Sequence, residues 1–428
     1  MYLKHILFKS LFIFAFATFP IPPSVANDAI FTEPVTFEQA FGLALERSPQ
    51  SQLLEAQQEA SEGILEQAGY KPNPTVGAEM ENVLGTGDLK GLDGVEITVG
   101  ISQLIERGDK RQRRSELARR SRELFTWDYK ETVAELRYEV MQLFSRALVA
   151  QQNVELQQEL LELAKESEAE VERRAEAARA STIEVSQAKL ATSQQEFQLR
   201  SSQRQLTEAK IPLSALWNMP NIEAFKLAGN LELDPTLPDL EVLQGLIDEV
   251  PTIARYQTER EVQEAAVELE KAQSKADYEL FGGARYVREG GGDAAFVLGI
   301  EIPWQIRNKN QGNIRSAMAG LRVVDSQKRI AHRNALAELS IAYGELGSSL
   351  DEWKNLKVDL LPSAEEALRE TEAGYEQGII LYLNVLEARR ALFEIRTAML
   401  ESTQRYLSAQ AKIESLTRSA QTYTPPTP

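Results

Sequence analysis

The chain has no cysteine and only two histidines, His5 and His332, in 428 residues. Without cysteine there is no disulfide framework, no lipid-attachment thiol and no thiolate metal site. His5 sits in the N-terminal leader, so a soft-ligand transition-metal site has one histidine left to draw on, which all but excludes it. Long apolar runs are also missing. The longest, Leu11 to Phe19, follows the basic start MYLKHILFKS and precedes Ser24-Val25-Ala26, the pattern of a secretory signal cleaved after Ala26. That run is too short to cross a bilayer as a helix, and no later run compares with it. A mature chain of this kind enters a membrane as strands or not at all. Basic charge is scarce too: 47 Lys and Arg stand against 64 Asp and Glu, for a net −17, and Lys4 and Lys9 leave with the signal. Such a surface, outside the cytoplasm, repels nucleic acid and favours cations.

What the chain does have, it has twice. PTVGAEMENVL (74–84) and VEITVGISQL (95–104) match YELFGGARYVR (278–288) and AAFVLGIEIPW (294–304), while ARASTIEVSQA (178–188) matches GIILYLNVLEA (378–388) at an offset of 200. Repeats this long, with helices too long for a compact domain, describe an elongated object built from copies. The expected plan is a signal at 1–26 and a first repeat over 27–229. That repeat holds a helix from Thr36, a strand hairpin 74–104, a long helix pair 108–217 and the start of an irregular belt, 219–240. A second repeat over 230–419 holds a helix 241–276, a hairpin 278–304 and a helix pair 310–419. A disordered tail, 420–428, closes the chain.

The first helix, 36–70, opens with Thr36 as N-cap and Gln39 in the capping-box position, and KPNP (71–74) ends it. In the strands Val76, Ala78 and Met80, Val95 to Ile101, and Phe296 to Ile302 alternate with polar or small residues over about ten positions, the length of a tilted outer-membrane strand. From Gly108 to Arg174 there is no proline and no further glycine. Val133, Leu136, Val140, Leu143, Ala147, Ala150 and Val154 form a heptad seam that resumes at Leu161 and Ala164, after Gln157. The second long helix carries Leu336, Leu339, Tyr343, Leu346, Leu350, Trp353, Leu360, Ala364 and Ala367, in phase apart from Lys357, and Pro362 predicts a kink. Four strands per chain cannot sit in lipid with open edges, so closure needs other copies.

The residues also resemble a known family, the TolC-type outer-membrane factors, over essentially the whole mature chain. The second tip, LLPSAEEALRETEAGYEQGIILYLNVLEARRAL (360–392), carries the resemblance. Within the family, YKPNPTVGAEMENVLGTGDLKGLDGVEITVGISQLIERGDKRQRR (70–114) is similar to the cobalt–zinc–cadmium efflux branch, with Gln103, Ile105, Glu106, Gly108, Lys110 and Arg111 as its recurring phrase. The resemblance implies a mainly α fold with a membrane β-barrel, four strands and long antiparallel coiled-coil helices per chain. It further implies a 12-stranded barrel closed by a homotrimer, in the outer membrane above a periplasmic helical tunnel. Its implied partners are a periplasmic adaptor and an inner-membrane pump of the resistance-nodulation-division type, its cargo divalent metal cations. Multidrug efflux or type I secretion keeps the duct and changes the cargo. A periplasmic coiled-coil scaffold or adaptor is the competing class, against which the four strands speak.

On consistent alternation Glu79, Glu81, Glu96 and Glu301 face the lumen, where threefold rings of carboxylate favour cations. The plainer reading is that lumens are polar anyway and that some of these acids pair with Arg285. The resemblance places adaptor docking at the two tips, on Gly374, Tyr375, Gly378 and Leu383 in the second repeat and Ala178 and Ile183 in the first. Since Tyr375 and Gly378 are matched by Ala175 and Ala178, the second tip is expected to dominate, with Gly378 as the pivot and Ala178→Val mild. RGDKRQRRSELARR (107–120) reads as a solvated face rather than a nucleic-acid site, given export and acidity. EGGGD (289–293) is a hairpin turn without the lysine or context of a phosphate cradle. No G-x-S-x-G or H-E-x-x-H occurs, so no catalytic residue, cofactor or resident metal is expected.

Overall fold

The computed structural model describes residues 33–419 except 93, 220–224, 230, 232, 235 and 289–290. The expected signal, the tail, part of the EGGGD turn and part of the belt lie outside the described residues.

The chain runs α1 (Phe37–Arg47), α2 (Pro49–Gly69), β1 (Thr75–Glu81), β2 (Glu96–Ile105), α3 (Lys110–Glu176) and α4 (Thr182–Leu216). It continues with α5 (Leu240–Leu246), α6 (Pro251–Gln273), β3 (Tyr278–Val287), β4 (Asp293–Glu301), α7 (Gln311–Asn355), α8 (Leu361–Glu376) and α9 (Tyr382–Thr417). Thr36 and Gln39 form the expected capping box at the start of α1. The single helix expected over 36–70 is two, however, because Pro49 has no N–H to continue α1 and begins α2 behind the Ser48 cap. Pro251 makes the matching break between α5 and α6.

The 67 residues of α3 extend about 100 Å at the ~1.5 Å rise of an α-helix. With α7 and α8 it forms the spine. The shorter helices each cover half of it: α2 and α6 pack beside the sheet end, α4 and α9 beside the far end. The apolar core is accordingly split. Val35, Leu136, Val140, Leu213, Trp217, Phe225 and Leu227 form one cluster, in which Trp217 Nε1 donates to the Ala40 carbonyl at 2.9 Å. Leu339, Leu346, Leu350, Ile253 and Tyr406 form a second, and Val171, Ala188, Tyr375, Tyr382 and Val385 a third at the tip.

Both seams falter at the same height, and each repeat resolves the fault differently. In the first repeat Gln157 stays buried and accepts from Gln195 Nε2 at 2.7 Å. In the second, Leu356–Leu360 form one π-helical turn. That turn tucks Leu356 into the core and swings Lys357 out over the Trp353 ring, 4.4 Å from its centroid. Below it the apolar phase has moved by one residue at two of its three positions. Leu360 and Ala367, expected in the seam, are exposed, while Leu361, Ala364 and Leu368 face inward. A lysine at a seam position cannot be buried unpaired, and one extra residue in the turn removes it. The expected kink at Pro362 is thus a π turn that ends just before it.

The four strands form one antiparallel sheet in the order β1-β2-β3-β4. Register places Glu81, Glu96, Val287 and Asp293 in one row, and Glu79, Thr98, Arg285 and Ala295 in the next. One face therefore carries Val76, Met80, Val99, Ile101, Leu280, Phe296, Leu298 and Ile300. Its apolar groups lie open, Phe296 at 93% and Leu298 at 87% exposure. The outer edges of β1 and β4 have no strand partner among the described residues.

Candidate functional site: the polar sheet face and the helical tips

The four expected acids, Glu79, Glu81, Glu96 and Glu301, share the face opposite the apolar one, because directly paired residues of an antiparallel sheet point the same way. Arg285 stands among them. Its Nη1 is 2.8 Å from Glu96 Oε2, its Nη2 3.0 Å from Glu81 Oε2, and its Nε donates to Thr98 Oγ1 at 2.9 Å. Two of the four carboxylates thus share one guanidinium, which offsets one of their two charges. Glu79 and Glu301 form no ion pair among the described residues. Sequence reasoning missed Glu279, which faces Glu301 directly across β3 and β4; its parity with Arg285 on β3 could have found it. Like charges placed opposite each other repel, and neither carboxylate has an ion-pair partner among the described residues. Midway, Gly77, Gly100 and Gly283 align across three strands, and the ring of Phe281 lies against Gly100 and Gly283. A Cβ on Gly100 would sit 2.6 Å from that ring.

At the opposite end of the molecule the two helix reversals repeat each other at an offset of 200. Gly378 has φ +75° and Ala178 φ +55°, both left-handed. Each is closed by matching bonds: Ala178 N–H to Ala175 O at 2.9 Å and Arg179 N–H to Arg174 O at 2.7 Å, then Gly378 N–H to Tyr375 O and Ile379 N–H to Gly374 O, both 2.9 Å. The expected contrast between a glycine pivot and an ordinary alanine is therefore wrong in backbone terms. Ala178 holds the same strained turn without the freedom of glycine. Gly374 serves close approach instead, since a Cβ there would meet Ile380 Cδ1 at 2.5 Å.

Tyr375 does not stand free as an anchor. It is 9% exposed, its ring centroid 5.3 Å from that of Tyr382. Its hydroxyl donates to Glu184 Oε2 on α4 at 3.0 Å. From α3, Arg174 donates Nη2 to the Tyr375 carbonyl at 3.0 Å and lays its guanidinium over the ring at 4.4 Å. Ser167 and Tyr382 share a hydroxyl bond of 3.0 Å, and Arg389 reaches Glu372 at 2.6 Å and the Leu163 carbonyl at 3.2 Å. Burial, then the Glu184 carboxylate, pushes the Tyr375 phenol up to about 12. These contacts latch the two hairpins of one chain together. Arg174, Glu184, Ser167 and Arg389 were not foreseen, because pairing across repeats leaves no local pattern. Ile183 and Leu383, by contrast, are 68% and 50% exposed.

The sequence signature of the outer membrane efflux proteins covers residues 40–219 and 285–417. The cobalt-zinc-cadmium resistance protein CzcC of Cupriavidus metallidurans is 29% identical over 366 residues, 85% of each chain. Among solved structures, the outer membrane protein VceC of Vibrio cholerae superposes with a TM-score of 0.69 at 18% identity, over 90% of this chain and 96% of that one. A CusC structure does so with 0.70 at 18% identity, over 89% and 91%. The likeness to these structures is one of fold: four strands on a long helical body.

Proposed function

The chain belongs to the outer membrane efflux protein family, and from that premise we propose that it is the exit duct of a tripartite system expelling divalent heavy-metal cations. Its place is the outer membrane, with the helices as a tunnel in the periplasm. The observation that carries the duct is the sheet: one face apolar and open, the other lined with carboxylate, and two edges without strand partners among the described residues. Lipid tolerates no open edge. Three copies pairing β1 with β4 of the next close twelve strands, with the acids inside. Cation preference then falls chiefly to Glu79, Glu301 and Glu279, because Arg285 cancels much of the field of Glu81 and Glu96.

The duct is passive, its energy supplied by an inner-membrane pump of the resistance-nodulation-division type, and a periplasmic adaptor joins the two. We place the adaptor contacts on the exposed Ile183 and Leu383, beside the turns at Ala178 and Gly378, and the gate at the latch around Tyr375 and Gly374. Metal as cargo is supported by the similarity to a cobalt-zinc-cadmium resistance protein. Deleting the gene tests it. Sensitivity to zinc, cobalt or cadmium with unchanged drug sensitivity is expected, and the reverse pattern assigns the duct to drug efflux.

A further inference from the structure

The basic run 107–114, which the duct does not use, lies where the chain leaves the sheet, and its counterpart follows β4. Arg107, Arg111 and Arg113 in the first repeat and Arg307, Lys309 and Arg315 in the second are exposed. None of the six forms an ion pair among the described residues. In a chain of net −17 this is unusual. Four carboxylates beside them are already committed: Glu106 to Arg114 at 2.6 Å, Asp277 to Lys110 at 2.6 Å, Glu268 to Lys271 at 2.7 Å, and Glu270 to the Asn310 side chain at 2.6 Å. Asp109, Glu279 and Glu301, without ion pairs among the described residues, offset three of the six charges, and the surplus remains positive.

Two further features point to an anion outside the protein. The first is order along the chain. After the exposed Leu298 and Ile300 comes Trp304 at 89% exposure and Ile306 at 69%, and then Arg307 and Lys309. Acyl-facing residues, an interfacial aromatic and then basic groups follow the layering of half a bilayer. The second is a violation of helix electrostatics. Helix α3 opens with Lys110, Arg111, Arg113 and Arg114, and neither α3 nor α7 has an acid in its first turn or an N-cap side chain bonded to the helix's own backbone N–H groups. Cations at the positive end of a helix dipole are unfavourable. A phosphate placed there relieves both the charge crowding and the dipole.

We propose that this collar binds the phosphate headgroups of anionic phospholipid in the periplasmic leaflet of the outer membrane, fixing the height of the barrel. The proposal rests on the barrel reading. It is tested by melting the detergent-purified trimer with phosphatidylglycerol, phosphatidylethanolamine or inorganic phosphate. Phosphatidylglycerol should raise Tm above the value with phosphatidylethanolamine. Replacing the six residues together by Gln should remove most of that difference, while Arg200→Gln with Arg204→Gln, on α4 far from the sheet, should leave it intact. Should the sixfold variant fail to assemble, Arg107→Gln, Arg111→Gln and Arg113→Gln alone should reduce the difference. An equal response to both lipids, an undiminished preference in the variants, or a full effect from inorganic phosphate overturns the proposal. A wild-type protein that yields no trimer on size exclusion overturns the barrel reading, and the collar with it.

Discussion

Ala178 and Gly378 occupy the same backbone well, and only one of them is suited to it. A non-glycine residue in the left-handed region costs about 1–2 kcal/mol. Ala178→Gly is therefore expected to stabilise the first tip by about 1 kcal/mol, measured as a raised Tm of the tip-dependent transition, while Ala178→Val and Gly378→Val both weaken adaptor pull-down. A harmless Ala178→Val would contradict the shared geometry. Tyr375 makes the latch titratable. Its phenol is raised to about 12 from an ordinary 10, so the folded latch holds its proton more tightly than the open chain does. The stabilisation is whole below pH 10 and is lost as pH rises from 10 towards 12. Planar-bilayer conductance should rise across that window in the wild type. Tyr375→Phe, which gives up a bond to a carboxylate of about 1.5–3 kcal/mol, should conduct more at pH 7 and lack this part of the pH response. Arg285→Gln frees Glu81 and Glu96, so the reversal potential under a salt gradient should move towards stronger cation preference. An unmoved potential would show that these acids do not set selectivity.

At the scale of elements, the matched faults at Gln157 and Lys357 divide the tunnel. A buried polar pair holds the first hairpin in register, whereas the second changes phase through a π turn, a form common at functional hinges. Lys357→Leu removes the reason for the turn by making the seam apolar throughout. The regular phase should then return, rotating α8 so that Tyr375 no longer meets Glu184. The expected outcome is a leaky duct, read as increased uptake of a bulky antibiotic through normally abundant trimers. Unchanged uptake would separate the π turn from the gate.

For the whole molecule, closure decides everything above the helices. The apolar sheet face is too exposed for water and the free edges too polar for lipid. Crosslinking of the detergent-extracted protein should stop at about three times the mature mass. A stable membrane-inserted monomer would overturn the architecture. Its core is likewise distributed, three clusters spaced along the spine rather than one, so damage at the tip should leave the barrel intact.

Period and parity reached far by themselves. Alternation in 74–104 and 278–304 located the strands and put the four acids on one face, since side chains of a strand can only alternate. The heptads located the long helices, and the cap at Thr36 was legible because capping is local. What needed the tertiary structure was whatever depends on residues far apart in sequence. Parity let Arg285 be expected among these acids, but nothing local names Glu81 and Glu96, about two hundred residues away, as its partners, or sets Glu279 against Glu301. Nothing local turns Tyr375 inward onto Glu184 and Arg174, or gives Ala178 the backbone of a glycine. The π turn lies between the two: the sequence marked Lys357 as a fault, but only packing could decide whether the helix would bury it, break or absorb it. It absorbed it, because one bulged turn costs less than an unpaired charge in the seam.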